Sequence, residues 1–347
     1  MDFINAIPNL VKGFEMKKGS IILLNFWGEN RDLDILDKFA VEIVKEGGIP
    51  IRYQHSRELN KKYFEEASEE SLDFPDKFFE IFKVSDVVID ILMYTPAPHK
   101  DFPRDKITYY KKYMRKLFNS LIEEKDLFIQ VRVPTKENAM EEDIDYSVYE
   151  DAICAGISID FNKLKKECVE LVDNLSEKKE VTIFTEDENE LKFSVENREW
   201  YKDDGTGDIP CGEVYIAPVE ESANGTILIP KITLMGRRFS NVFMEFEKGR
   251  LIKCSLRELE EFIKKFHGNS DIIGEFGVGL NENIKELIGC NVIDEKCRGT
   301  AHIAIGMNEM FGGKNSSDLH MDFVFKPIKI EIDGNVFMEG SKILYLD

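Results

Sequence analysis

Short apolar runs that alternate with amphipathic helical stretches constrain the first half of this chain most. GSIILLNFWG (19–28) has the length and apolarity of a buried strand. A helical pattern follows from about Asp32 to Glu46, with Leu33, Ile35, Leu36, Phe39, Ala40 and Ile43 on one side. Gly47 and Gly48 stop that helix, and IPIRYQ (49–54), DVVIDILMY (86–94) and DLFIQVRVP (126–134) read as three further strands. Strands spaced by helices are the signature of a parallel α/β sheet.

From about Val181 the pattern becomes strand-rich. VTIFT, ELKFSV, EVYIAP, TILIP and NVFMEFEKGRLIKC follow one another, with turn segments at DDGTG (203–207) and EKG (247–249) and one helix over about 256–267. The 347 residues suffice for two domains. The expected architecture is an N-terminal parallel α/β domain (1–175) followed by a strand-rich α+β domain (176–347). The boundary falls after a helix carrying Leu164, Val169, Leu171 and Leu175.

Composition narrows the function. Acidic residues outnumber basic ones 66 to 46, for a net charge of −20, which disfavours binding to a phosphate backbone; no nucleic acid partner is expected. The same excess of carboxylates can trap a cation. The six cysteines are scattered with no C-x-x-C pair, as in a reduced protein. The first residues lack the order of a signal peptide and no apolar stretch approaches ~20 residues, so no membrane partner and a cytoplasmic location are expected. Nucleotide binding is unsupported. The turn FWGEN after the first strand lacks G-x-G-x-x-G, the GVG at 277–279 opens no helix, and the GGK at 312–314 has Asn308 where a P-loop glycine should stand.

Four segments of the second half share one design. Side chains alternate between the faces of a strand. In EFGVGL, Phe276, Val278 and Leu280 take one face and Glu275, Gly277 and Gly279 the other. AHIAIG divides into Ala301, Ile303 and Ile305 against His302, Ala304 and Gly306; LHMDFVF projects His320 and Asp322 together; GEVYIAP presents Glu213, Tyr215 and Ala217. Each segment puts a metal-type ligand on its less apolar face, mostly beside glycine or alanine. Imidazole with carboxylate suits Zn, Co, Mn or Fe rather than Ca. Three carboxylates and two histidines exceed the needs of one catalytic zinc and suit two divalent ions sharing a carboxylate. His55, His99 and His267 read as ordinary surface residues, and Trp27 and Trp200 as packing residues.

GEVYIAPVE (212–220), GEFGVGLN (274–281), DEKCRGTAHIAIG (294–306) and GGKNSSDLHMDFVF (312–325) resemble the aminopeptidase T / AmpS / PepS metallopeptidases, most strongly over 200–335. The resemblance implies an enzyme that hydrolyses the N-terminal bond of a peptide substrate, works as a homodimer and carries two divalent ions (Zn, Co or Mn). Carried over by motif, Glu213, Glu275, His302, His320 and Asp322 are the metal ligands, the same five that strand alternation selects. The family has a tyrosine about seven residues after its counterpart of His302, where this chain has Glu309. Glu309 is therefore a candidate ligand or general base, and Lys314 a candidate for steadying an oxyanion. The superfamily also contains 2,5-dihydroxypyridine 5,6-dioxygenase, with one non-haem iron and a histidine at the position of Glu275. A ring-cleaving oxygenase and a non-catalytic metal- or small-molecule-binding relative are the alternatives.

Overall fold

The computed structural model describes residues 3–186 and 188–346. By internal packing the chain divides at Ser158/Ile159, with Gly205–Pro210 returning to the first unit. The helix Phe161–Leu175, grouped with the first half on sequence, thus packs within the second unit, where Leu164, Cys168, Leu171 and Leu175 are buried.

In the first unit the strands run Ile49–His55, Ile21–Trp27, Val87–Leu92, Leu127–Arg132 and Asp208–Ile209 in spatial order, all parallel. Two of the strands are buried almost throughout (Ile21–Trp27 and Val87–Leu92), as expected when helices cover both faces of a sheet. The helices begin where short polar side chains cap them: Ser56 accepts from the Leu59 amide, Thr135 from Asn138, and Asp145 from Ser147 and Val148. The helix Leu33–Lys45 ends at Gly47, whose φ of +90° a β-carbon would strain.

Inside this sheet lies a buried polar group. Asp90 accepts hydrogen bonds from Asn25 Nδ2 (2.7 Å), Trp27 Nε1 (2.7 Å) and Gln130 Nε2 (3.1 Å). His55 is 2% exposed rather than a surface residue; its ring stacks on Trp27 and its Nε2 bonds Asn25 Oδ1 at 2.7 Å. Its place at the end of an edge strand reads as polar in one dimension, but Trp27 on the neighbouring strand covers it.

The second unit holds two antiparallel sheets, one of eight strands and one of five. The larger contains the long hairpin Asn224–Leu234 and Arg237–Glu247; the turn at Lys248–Gly249, both residues at positive φ, joins the latter to Arg250–Cys254. The five-stranded sheet runs His320–Phe325, Ala301–Gly306, Ile273–Gly279, Glu213–Ile216 and Trp200–Asp203. All four segments that share the ligand pattern lie in it. Among the described residues no helix is long and apolar enough to cross a membrane.

Candidate metal centre

Register places the polar side chains of the five-stranded sheet together. Gly277 lies opposite His302 on one side and Tyr215 on the other, Gly279 opposite Glu213, and Ala304 between Glu275 and Asp322. The faces divide as the alternation requires, with Phe276, Val278, Ile303, Ile305, Val214 and Ile216 all fully buried in apolar packing. The small residues are there for space. A β-carbon on Gly277 would stand 2.2 Å from His302 Cε1, so only glycine lets that ring lie across the neighbouring strand. A β-carbon on Gly279 would meet the Cys297 and Glu295 carbonyl oxygens at 2.2 and 2.5 Å. That glycine gives passage to the segment 295–297, which crosses over the strand.

The five residues selected from the sequence converge. Glu275 is central: Oε1 is 3.2 Å from His302 Nε2 and Oε2 is 3.2 Å from His320 Nε2. Asp322 Oδ1 is 3.5 Å from His320 Nε2, and Glu213 Oε2 is 3.6 Å from His302 Nε2. His320 Nδ1 donates to the Met307 carbonyl at 2.8 Å, which fixes the ring and turns Nε2 toward the carboxylates, the usual orientation of a metal-ligating imidazole. Two sets each bring three donor atoms within 4.8 Å of one another: Glu213, Glu295 and His302; and Glu275, His320 and Asp322.

Glu309 and Lys314 are not among them. Both side chains are exposed, Glu309 on the turn Glu309–Phe311 and Lys314 in the loop beyond it, where its backbone amide bonds Glu220 at 2.6 Å. Conversely, Glu295 and Lys296 belong to the cluster but could not be found by alternation, because they lie on no strand. The charged pair inside DEKCRG, just upstream of His302, is the signal that was there to read. Lys296 is 1% exposed, with Nζ 2.5 Å from Glu213 Oε1, 3.0 Å from Glu295 Oε1 and 3.4 Å from Asp203 Oδ2.

Electrostatics follow from this crowding. Burial pulls both histidines toward neutrality but loses to the carboxylates around them. Glu275, Glu213 and Glu295 push His302 up to about 9, and Asp322 and Glu275 push His320 up to about 11. Burial would raise Glu275, but the two imidazoles hold it down to about 2. Glu295 goes the other way, raised to about 8 by burial and by the charges of Glu213 and Asp322 despite Lys296. Burial, then Glu213 and Glu275, hold the Tyr215 hydroxyl firmly protonated.

The residues fit divalent cations. Glu213 Oε2 and His302 Nδ1 are buried without a hydrogen-bond partner, a costly arrangement that native proteins tolerate where a ligand is to be held. Five carboxylates (Asp203, Glu213, Glu275, Glu295, Asp322) surround a single buried ammonium and two imidazoles. Neutral imidazole and carboxylate together are a transition-metal donor set.

The chain matches the family described as thermophilic metalloprotease (M29) over residues 9–346, and it belongs to that family of metallopeptidases. Its fold is shared with wild-type AmpT from Thermus thermophilus at 17% identity, covering 99% of this chain and 100% of the other with a TM-score of 0.69. It is also shared with 2,5-dihydroxypyridine dioxygenase from Pseudomonas putida KT2440 at 11% identity, covering 98% and 96% with a TM-score of 0.63. No curated protein matches the chain in sequence.

Proposed function

We propose that this metallopeptidase is an aminopeptidase that uses two divalent ions held by Glu213, Glu275, His302, His320 and Asp322. The observation that carries the reading is Glu275, which offers one carboxylate oxygen to each histidine and so stands between the two donor sets. A carboxylate so placed is what two ions sharing a ligand require. Glu295, beside Glu213 and His302, joins the first set as a candidate ligand.

When bound, such ions supply Lewis acidity and lower the pKa of water. The protein's own groups do the rest. Met307 O orients His320, Gly277 admits the His302 ring, and packing holds Glu213 and Glu275 almost wholly out of solvent. The surplus of carboxylates favours a substrate that brings a free α-ammonium group. Tyr215 packs edge-on against Phe311 at 5.6 Å, and Phe311 edge-on against His320 at 5.9 Å, an apolar wall beside the second set that favours apolar N-terminal side chains. A homodimer of this chain is the working assembly, to be checked by light scattering.

Metal content after cobalt or zinc saturation and desalting tests the reading. Two ions per chain in the wild type, about one in Glu213→Gln, and release of N-terminal residues from aminoacyl substrates are expected. One ion that does not respond to Glu213, together with iron-dependent O₂ uptake, would instead establish the mononuclear oxygenase.

A further inference from the structure

Lys296 places an ammonium group inside the candidate metal centre, where a cation competes with the ions the site would hold. Its position is built rather than incidental. The segment bearing it crosses over Gly279, the residue paired with Glu213, and that crossing exists only because Gly279 has no side chain. Three carboxylates then hold Nζ: Glu213 Oε1 at 2.5 Å, Glu295 Oε1 at 3.0 Å and Asp203 Oδ2 at 3.4 Å. Asp203 lies opposite Glu213 on the adjoining strand and belongs to neither donor set.

The two oxygens of Glu213 are therefore unequal. Oε1 is engaged by Lys296, whereas Oε2 is buried, has no hydrogen-bond partner and is the oxygen nearest His302 Nε2. We propose that Lys296 is a positioning residue of the metal centre: it occupies Glu213 Oε1, so that Glu213 serves an ion through Oε2 alone, and it draws Glu295 toward the same set. The inference rests on the metallopeptidase reading above. A buried carboxylate without this partner would be free to rotate and to present both oxygens, and its remaining neighbours would repel it.

Lys296→Met keeps most of the side-chain volume and removes the ammonium. Cobalt(II) titrations followed by visible absorption, with metal content measured in parallel, compare it with the wild type. The expected result is an altered spectrum for one of the two ions and about 10–100-fold weaker binding of that ion, the usual consequence of removing a group that orients a ligand. An unchanged spectrum and affinity would overturn the proposal. So would tighter binding with an unchanged spectrum, since Lys296 would then act through charge alone. Should Lys296→Met fail to fold, Asp203→Asn replaces it. Loss of that anchor is expected to weaken the same ion several-fold, and an unaffected titration would count against the proposal. Wild-type protein that binds no cobalt would overturn the metallopeptidase site itself, an outcome separate from these.

Discussion

The two units each bury a polar cluster in a sheet, and the clusters are chemically opposite. In the first, Asp90 receives three donors and His55 donates to Asn25, so the carboxylate and the imidazole each meet complementary partners inside the protein. Burial lifts Asp90 to about 6 and drives His55 down to about 3, so the imidazole is neutral. In the second, Glu213 Oε2 and His302 Nδ1 are left without partners, and carboxylates outnumber the cations that face them. A closed network rigidifies a fold, whereas an open one stores a requirement for something else. Polarity and burial alone therefore do not mark a site; here the mark is that unpaired ligand-type atoms gather among surplus carboxylates.

Changes to the open cluster should cost function and those to the closed one stability. The largest effect is expected from Glu275→Ala, which removes the oxygens between both histidines. Activity on an aminoacyl substrate should fall more than about 100-fold with metal content reduced, since even outlying partners of ligands cost 10–100-fold. Retained activity would remove Glu275 from the centre. Asp90→Ala leaves Asn25, Trp27 and Gln130 without their acceptor and should lower unfolding free energy by about 3–5 kcal/mol in denaturant titrations, with metal content unchanged. Loss of metal on that change would show the two clusters to be coupled.

Gly277→Ala pushes a methyl group into the His302 ring. A cost of about 1–3 kcal/mol and weaker metal binding are expected, whereas full metal content would mean that the ring has room to move. Protonation gives a smaller effect with a defined sign. His302 and His320 hold protons more tightly in the folded metal-free chain than the ordinary 6.5. That stabilisation is complete below about pH 6.5 and is lost as pH rises through about 9 and toward 11. Metal-free protein should therefore lose stability over that window, and zinc added at pH 7 should displace protons, read as a buffer-dependent enthalpy in calorimetry. Equal enthalpies in buffers of different ionisation heat would contradict it. The smallest change is expected at the exposed Glu309 and Lys314. Glu309→Gln and Lys314→Ala should each shift stability by no more than about 0.5 kcal/mol, with activity within about threefold. A larger loss of activity would return them to the catalytic machinery.

Much of this was legible in one dimension because the relevant code is local. Period-2 alternation assigns Glu213, Glu275, His302, His320 and Asp322 to the less apolar face of their strands whatever the strands pair with. Glycine beside a ligand reports free space before the neighbour is known. The alternation of strand and helix likewise settled the parallel sheet, since helices must cover both its faces. Tertiary structure alone decided the rest. Strand register set Glu275 beside both His302 and His320, and chain crossing brought Glu295 and Lys296 over Gly279. A tryptophan on an adjacent strand turned His55 from a surface residue into a buried one, and the chain's return at Gly205–Pro210 added a strand to the first sheet. Each of these depends on which distant segment arrives alongside, and periodicity within a segment carries no record of that.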